Sequence, residues 1–233
     1  MKRNKNIFYY IILSIIAAIL LLILTFLSPS NTTVIGIYDK LFIGGVFITS
    51  CIFGISLAIY PQWFRKLTKR TTPHLDRKKF KKKRVYNCHH PDCVNFQNHK
   101  IKIKNKDFCA GCLGLSIGSI ISIVLMIIYV ITVKGETTTE FYYLVFLGLI
   151  IIGFINMEII LKIGNAIIHV ISNIILVLSF LLVTISIFEI TGNKVNGILS
   201  IVISFLFLST RIQLSNWQHA RICERCSETC KAY

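Results

Sequence analysis

Along this chain apolar residues run unbroken for about twenty positions at a time, and polar residues gather between the runs instead of alternating with them. The runs fall at 7 to 27, 38 to 60, 111 to 133, 141 to 160, 165 to 188 and 196 to 210. Most are close to the ~20 residues a helix needs to cross a bilayer, and the last is the shortest. A backbone in lipid must satisfy its own hydrogen bonds, so the pattern predicts an all-α fold: a polytopic membrane helix bundle of about six transmembrane helices. At about 21 residues the first run exceeds the 7 to 15 of a secretory signal core, and it reads as a membrane helix. The chain then divides into 1–60 with two membrane helices, 61–110 as a basic loop, 111–210 with four membrane helices, and 211–233 as a cysteine-rich tail.

Composition agrees with lipid as the main solvent. Of 233 residues, 54% are hydrophobic, and the mean hydropathy is +0.68, more than one soluble core requires. The formal net charge of +16 changes the picture only through its distribution. An even number of crossings puts both termini, the loop 61–107 and the turn near Lys162 on one side. That side holds 23 of the 26 Lys and Arg, leaving Lys40, Lys134 and Lys194 on the other. The positive-inside rule therefore predicts a multi-pass cell-membrane protein with both termini in the cytoplasm. The run Arg77, Lys78, Lys79, Lys81, Lys82, Lys83 and Arg84, near Trp63 and Phe64, suits anionic lipid head groups at about 1 kcal/mol per basic residue. Nucleic acid is the weaker reading, because topogenic charge already accounts for the run.

Seven of the eight cysteines lie in the two polar pieces or, for Cys112, at the very start of the third run. Reduced cytoplasmic thiols at short spacings read as metal ligands rather than disulfides. Cys88-x4-Cys93 and Cys109-x2-Cys112 are two pairs separated by fifteen residues, close to the spacing of zinc ribbons and knuckles. The tail adds His219-x3-Cys223-x2-Cys226-x3-Cys230. On one continuous helix these four would spread over about 16 Å, too far to share an ion, so either the tail bends or it lends adjacent pairs to the loop. Eight ligands suffice for two closed zinc sites that tie loop to tail. One zinc on the loop alone is the minimal alternative; an iron–sulfur cluster or redox-active thiols are the others. His89, His90 and His99 remain outside this count: at least two of the three read as ordinary solvated loop residues, and the alternative has His89 or His90 replace or orient a ligand. Cys51 reads as a packing residue.

Within the spans, Asn165, His169 and Asn173 are four apart and share a helix face, and Asn156 and Glu158 close the preceding span. Polar groups are costly in lipid, so they should converge inside the bundle below the cysteines. One reading is a ligand or proton site with His169 as acid or base. The other is interhelical bonding, with Asn165 as a helix cap and Glu158 paired to Lys162. Gly114 and Gly118, four apart, should let another helix approach closely.

The elements Cys88-His89-His90-Pro91 and Phe108-Cys109-Ala110-Gly111-Cys112-Leu113-Gly114 resemble a group of small, uncharacterised bacterial and archaeal predicted membrane proteins. Those pair Cys-His-x-Pro with a Cys-x2-Cys-x-Gly that enters a membrane helix. The resemblance spans about 30 residues and implies no activity; Cys93 and the tail cysteines are additions to that pattern. The expected function is a non-enzymatic docking or scaffolding module with a cytoplasmic protein partner. The alternatives are a thiol oxidoreductase using Cys109 and Cys112, or a metalloenzyme in which Glu158 or His169 moves protons. No His-Glu-x2-His, P-loop or Gly-x-Ser-x-Gly motif supports catalysis.

Overall fold

A computed structural model describes residues 2–27, 35–59, 99–103, 106–132, 139–160 and 165–224. The cysteines at 88, 93, 226 and 230, together with Lys162, His89, His90 and the polybasic run 77–84, lie outside these residues. Six helices account for nearly all of the described chain: α1 (Lys2–Leu27), α2 (Ile37–Ile59), α3 (Ala110–Thr132), α4 (Glu140–Ile160), α5 (Ala166–Thr191) and α6 (Lys194–Glu224). All six are long and apolar enough to cross a membrane. Five follow their apolar runs to within a few residues. The sixth continues well past 210, because Arg211 and the residues after it pack against neighbouring helices instead of entering solvent: Arg211, Leu214, His219 and Ala220 are all buried.

A short hairpin not expected from the sequence stands before α3. Strand β1 (Lys100–Ile103) pairs antiparallel with β2 (Lys106–Cys109), with Lys100 opposite Cys109 and Ile101 opposite Phe108. The alternation Lys100, Ile101, Lys102, Ile103 is the period-two signal that announces it. The second strand runs directly into α3, so Cys109 ends a strand and Cys112 lies in the first helical turn.

Local chemistry sets the helix ends. Asn165 caps α5 as expected, its side chain accepting from the Ile167 N–H at 2.9 Å. Gly192 ends α5 in the left-handed region at φ 59°, where a side chain would be strained, and its N–H donates to Phe188 O at 2.9 Å. Asn193 then accepts from the Val195 N–H, so α6 starts after a two-residue turn and runs antiparallel to α5.

Helix α5 is the central element, packing on α3, α4 and α6. Apolar burial between helices gains little when the alternative solvent is lipid, and association then depends on close packing and polar bonds. Both occur here. A Cβ on Gly114 would lie 2.9 Å from Asn173 Cβ and press on the Val170 carbonyl oxygen; one on Gly118 would lie 2.9 Å from Ile174 Cα. The expected close approach at these glycines is therefore made, by α3 against α5. One core gathers Leu21, Ile152, Leu176, Phe180, Ile187 and Phe207, and a second gathers Phe47, Cys51, Met126, Tyr129 and Leu181. Cys51 is a packing residue in the second. Ser14 and Thr210, 2.7 Å apart, join α1 to α6.

Candidate functional site

Near the hairpin end of the bundle, three helices each direct a polar side chain inward. Glu158 comes from the end of α4, Asn173 from the second turn of α5, and Arg211 from α6. The guanidinium satisfies itself on all three sides: Nε donates to Asn173 Oδ1 at 2.8 Å, Nη1 to the Ile155 carbonyl at 2.7 Å, and Nη2 to Glu158 Oε2 at 3.2 Å. Both charged side chains are only 5% exposed, so neither ion could be held there without the other. Asn173 in turn donates through Nδ2 to His169 O at 2.6 Å.

His169 approaches the other carboxylate oxygen. Its Nδ1 lies 3.0 Å from Glu158 Oε1, at ion-pair distance but without the alignment of a full hydrogen bond. The imidazole is less enclosed than the carboxylate, 16% against 5% exposed, and on its outer side the loop meets it. The ring of His99, which immediately precedes β1, stacks on His169 with centres 5.1 Å apart, and meets the ring of buried His219 edge-on at 5.1 Å. Ser215 Oγ is 3.5 Å from His219 Nε2. The hairpin and the end of α6 thus rest together on the Glu158 cluster.

Cys109 is buried and Cys112 half-buried. Gly111 between them faces Asn173, whose Nδ2 would lie 3.6 Å from a Cβ there. Cys223 stands on α6 one turn beyond His219. Of the eight expected metal ligands, the structure therefore locates Cys109, Cys112, His219 and Cys223, and the other four lie outside the described residues. Among the described residues no group of three or more His, Cys, Asp and Glu side chains could hold a metal ion.

The expected polar face is present in part. Glu158, His169 and Asn173 converge, whereas Asn156 Oδ1 is buried without a hydrogen-bond partner among the described residues. Glu158 pairs with Arg211, a residue the hydropathy pattern assigned to the tail; Lys162, its expected partner, is outside the described residues.

A second buried ionic cluster lies toward the opposite end. Lys40 of α2 reaches Glu189 Oε1 of α5 at 2.7 Å, with the two side chains 2% and 1% exposed. The Tyr129 hydroxyl of α3 donates to the same oxygen, and Lys40 Nζ also sits 5.1 Å from the centre of the Tyr129 ring. Glu189 Oε2 has no hydrogen-bond partner among the described residues. Hydropathy could not find this site, because the fifth apolar run stops one residue short of Glu189 and Lys40 reads as a charge at a helix start. The signal available was one acid and one base near the ends of two separate runs.

No protein-family model, curated protein or solved structure matches the chain.

Proposed function

We propose that this integral membrane protein is a non-enzymatic docking module in which zinc fastens the cysteine loop and the tail onto the end of the helix bundle. The observation that carries the reading is the course of the chain through Lys100–Cys109 into α3. It puts Cys109 at the end of a strand and Cys112 in the first turn of the helix. A hairpin followed by a helix start is a rigid way to present two sulfurs, and a preceding pair, Cys88 and Cys93, completes four thiolates for a closed structural site. The donor set fits zinc: sulfur ligands at knuckle spacing, held by a piece too small to fold on apolar burial alone.

Contact between His99 and His219 supports the tie of loop to tail, since the loop and the end of α6 meet there. In this reading Cys223, Cys226 and Cys230 of the tail supply the remaining thiolates. In this reading the polar end faces the cytoplasm, where the charge bias puts it, and its basic residues meet anionic lipid head groups or an acidic protein partner.

Elemental analysis of the full-length protein, purified in detergent without added metal, tests the reading together with limited proteolysis. Zinc at one to two ions per chain is expected. Cys109→Ser should lose zinc and expose the loop to protease. Full zinc occupancy with a Cys109→Ser loop as resistant as before would end the structural role, and iron with visible charge-transfer bands would replace docking by electron transfer.

A further inference from the structure

The hairpin before α3 has two chemically different sides. Side chains alternate along a strand, so Lys100 and Lys102 share one side of β1, and Ile101 and Ile103 share the other. Ile101 stands opposite Phe108 of β2, which adds an aromatic ring to the apolar side. Ile101 and Phe108 are half-buried, whereas Ile103, next along that side, is 42% exposed, and Lys102 beside it is exposed as well. The hairpin thus leaves the bundle toward its turn while keeping an apolar and a basic side.

Its level is set by the helix that follows. No residue separates β2 from α3: Cys109 ends the strand and Ala110 begins the helix. At 1.5 Å per residue, α3 is about 35 Å long, enough for the ~30 Å hydrocarbon core and little more. The hairpin therefore stands at the level of the lipid head groups, and strands of about 13 Å are short enough to lie along that layer. Helix α6 carries a marker of the same level. Trp217 and Arg221 are one turn apart, with the exposed guanidinium 4.5 Å from the centre of the indole ring. Tryptophan favours the membrane interface, and a basic side chain there reaches the phosphates. His219, between these two in sequence, meets His99 edge-on beside the hairpin, so both features belong to one end of the bundle.

We propose that the hairpin is an interfacial anchor, in which Ile103 enters the boundary of the acyl chains and Lys102, with Lys100 behind it, takes the phosphates of anionic lipids. Apolar area on one side and lysines on the other is the chemistry of an amphipathic element lying in a membrane surface. The inference rests on the reading above that this end faces the cytoplasm, and it names a lipid contact in the hairpin itself. A membrane suits the hairpin better than an acidic protein does. The chain passes into a spanning helix without a linker, which holds the apolar side at the bilayer, whereas an acidic protein would use only the lysines.

Hydrogen exchange of the full-length wild-type protein, in nanodiscs of phosphatidylcholine with and without phosphatidylglycerol, tests this. Amides 100–103 should exchange more slowly in the anionic discs. Lys102→Gln should forfeit about fivefold of that protection, the factor that corresponds to ~1 kcal/mol. Ile103→Trp reports depth: its indole should be quenched by bromine on the acyl chains beyond the level set by the native tryptophans, and shielded from acrylamide. Equal exchange in the two lipids, with an acrylamide-accessible indole, overturns the proposal and leaves the lysines to an acidic protein. Zinc measured on the same samples keeps the two readings apart. Lipid-dependent protection in a protein without zinc upholds the anchor and removes the zinc fastening, whereas full zinc with equal exchange and an accessible indole removes the anchor alone.

Discussion

The two ends of the bundle each hold a buried carboxylate, and they satisfy it in different ways. Near the hairpin, Glu158 lies between a guanidinium and an imidazole, and Arg211 spreads its donors over a carboxylate, an amide and a backbone carbonyl. Toward the other end, Glu189 takes Lys40 and Tyr129 on one oxygen, and the second has no hydrogen-bond partner among the described residues. Arginine suits the first arrangement because its planar fork serves several fixed acceptors at once; a lysine ammonium is a point charge on a flexible stem. The first cluster adjoins a polar loop through His99, and the second is closed by α2, α3 and α5. The first is thus a charge network shared by α4, α5 and α6, and the second an ion pair that fastens α2, α3 and α5.

The largest expected effect is at Arg211. Arg211→Met leaves Glu158 charged and buried and deprives Asn173 and the Ile155 carbonyl of their donor, which should cost about 3–5 kcal/mol, read from reversible unfolding in mixed micelles. Lys40→Met should cost about 3 kcal/mol, the low end of that range, because Tyr129 still donates to Glu189. The double changes sharpen the contrast. Lys40→Met with Glu189→Gln should recover most of the single loss, since the amide oxygen still accepts from Tyr129. Arg211→Met with Glu158→Gln should recover much less, since two acceptors remain without a donor. Equal recovery in both pairs would erase the distinction drawn between the clusters.

Smaller effects concern the packing that positions both clusters. Gly118→Val introduces a side chain where even a Cβ would meet Ile174 Cα at 2.9 Å, and a loss of about 1–3 kcal/mol in the same unfolding measurement is expected. Asn165→Ala, which removes the α5 cap, should cost about 1 kcal/mol or less in that measurement.

Much of the architecture was legible in the residues themselves. The six spans, the Asn165 cap, the approach of α3 at Gly114 and Gly118, and the inward face of His169 and Asn173 all follow from patterns contained within one helix or one turn. Hydropathy failed where an ionisable residue is buried by a distant partner. It ended the last span at 210, so Arg211 passed for tail; it cut the fifth before Glu189; and it left Lys40 as a topogenic charge. The hairpin was missed because its two strands are only four residues each, set beside long apolar runs.

By itself the sequence determined how many times the chain can cross a bilayer and which helix faces are polar, because both depend on spacing along a single backbone. Only the tertiary structure decided that Arg211 answers Glu158, that Lys40 and Tyr129 answer Glu189, and that His99 meets His169 and His219. These partners lie on different elements, and a charge in low dielectric selects whichever opposite charge the packing brings within a few ångströms, whatever their separation along the chain.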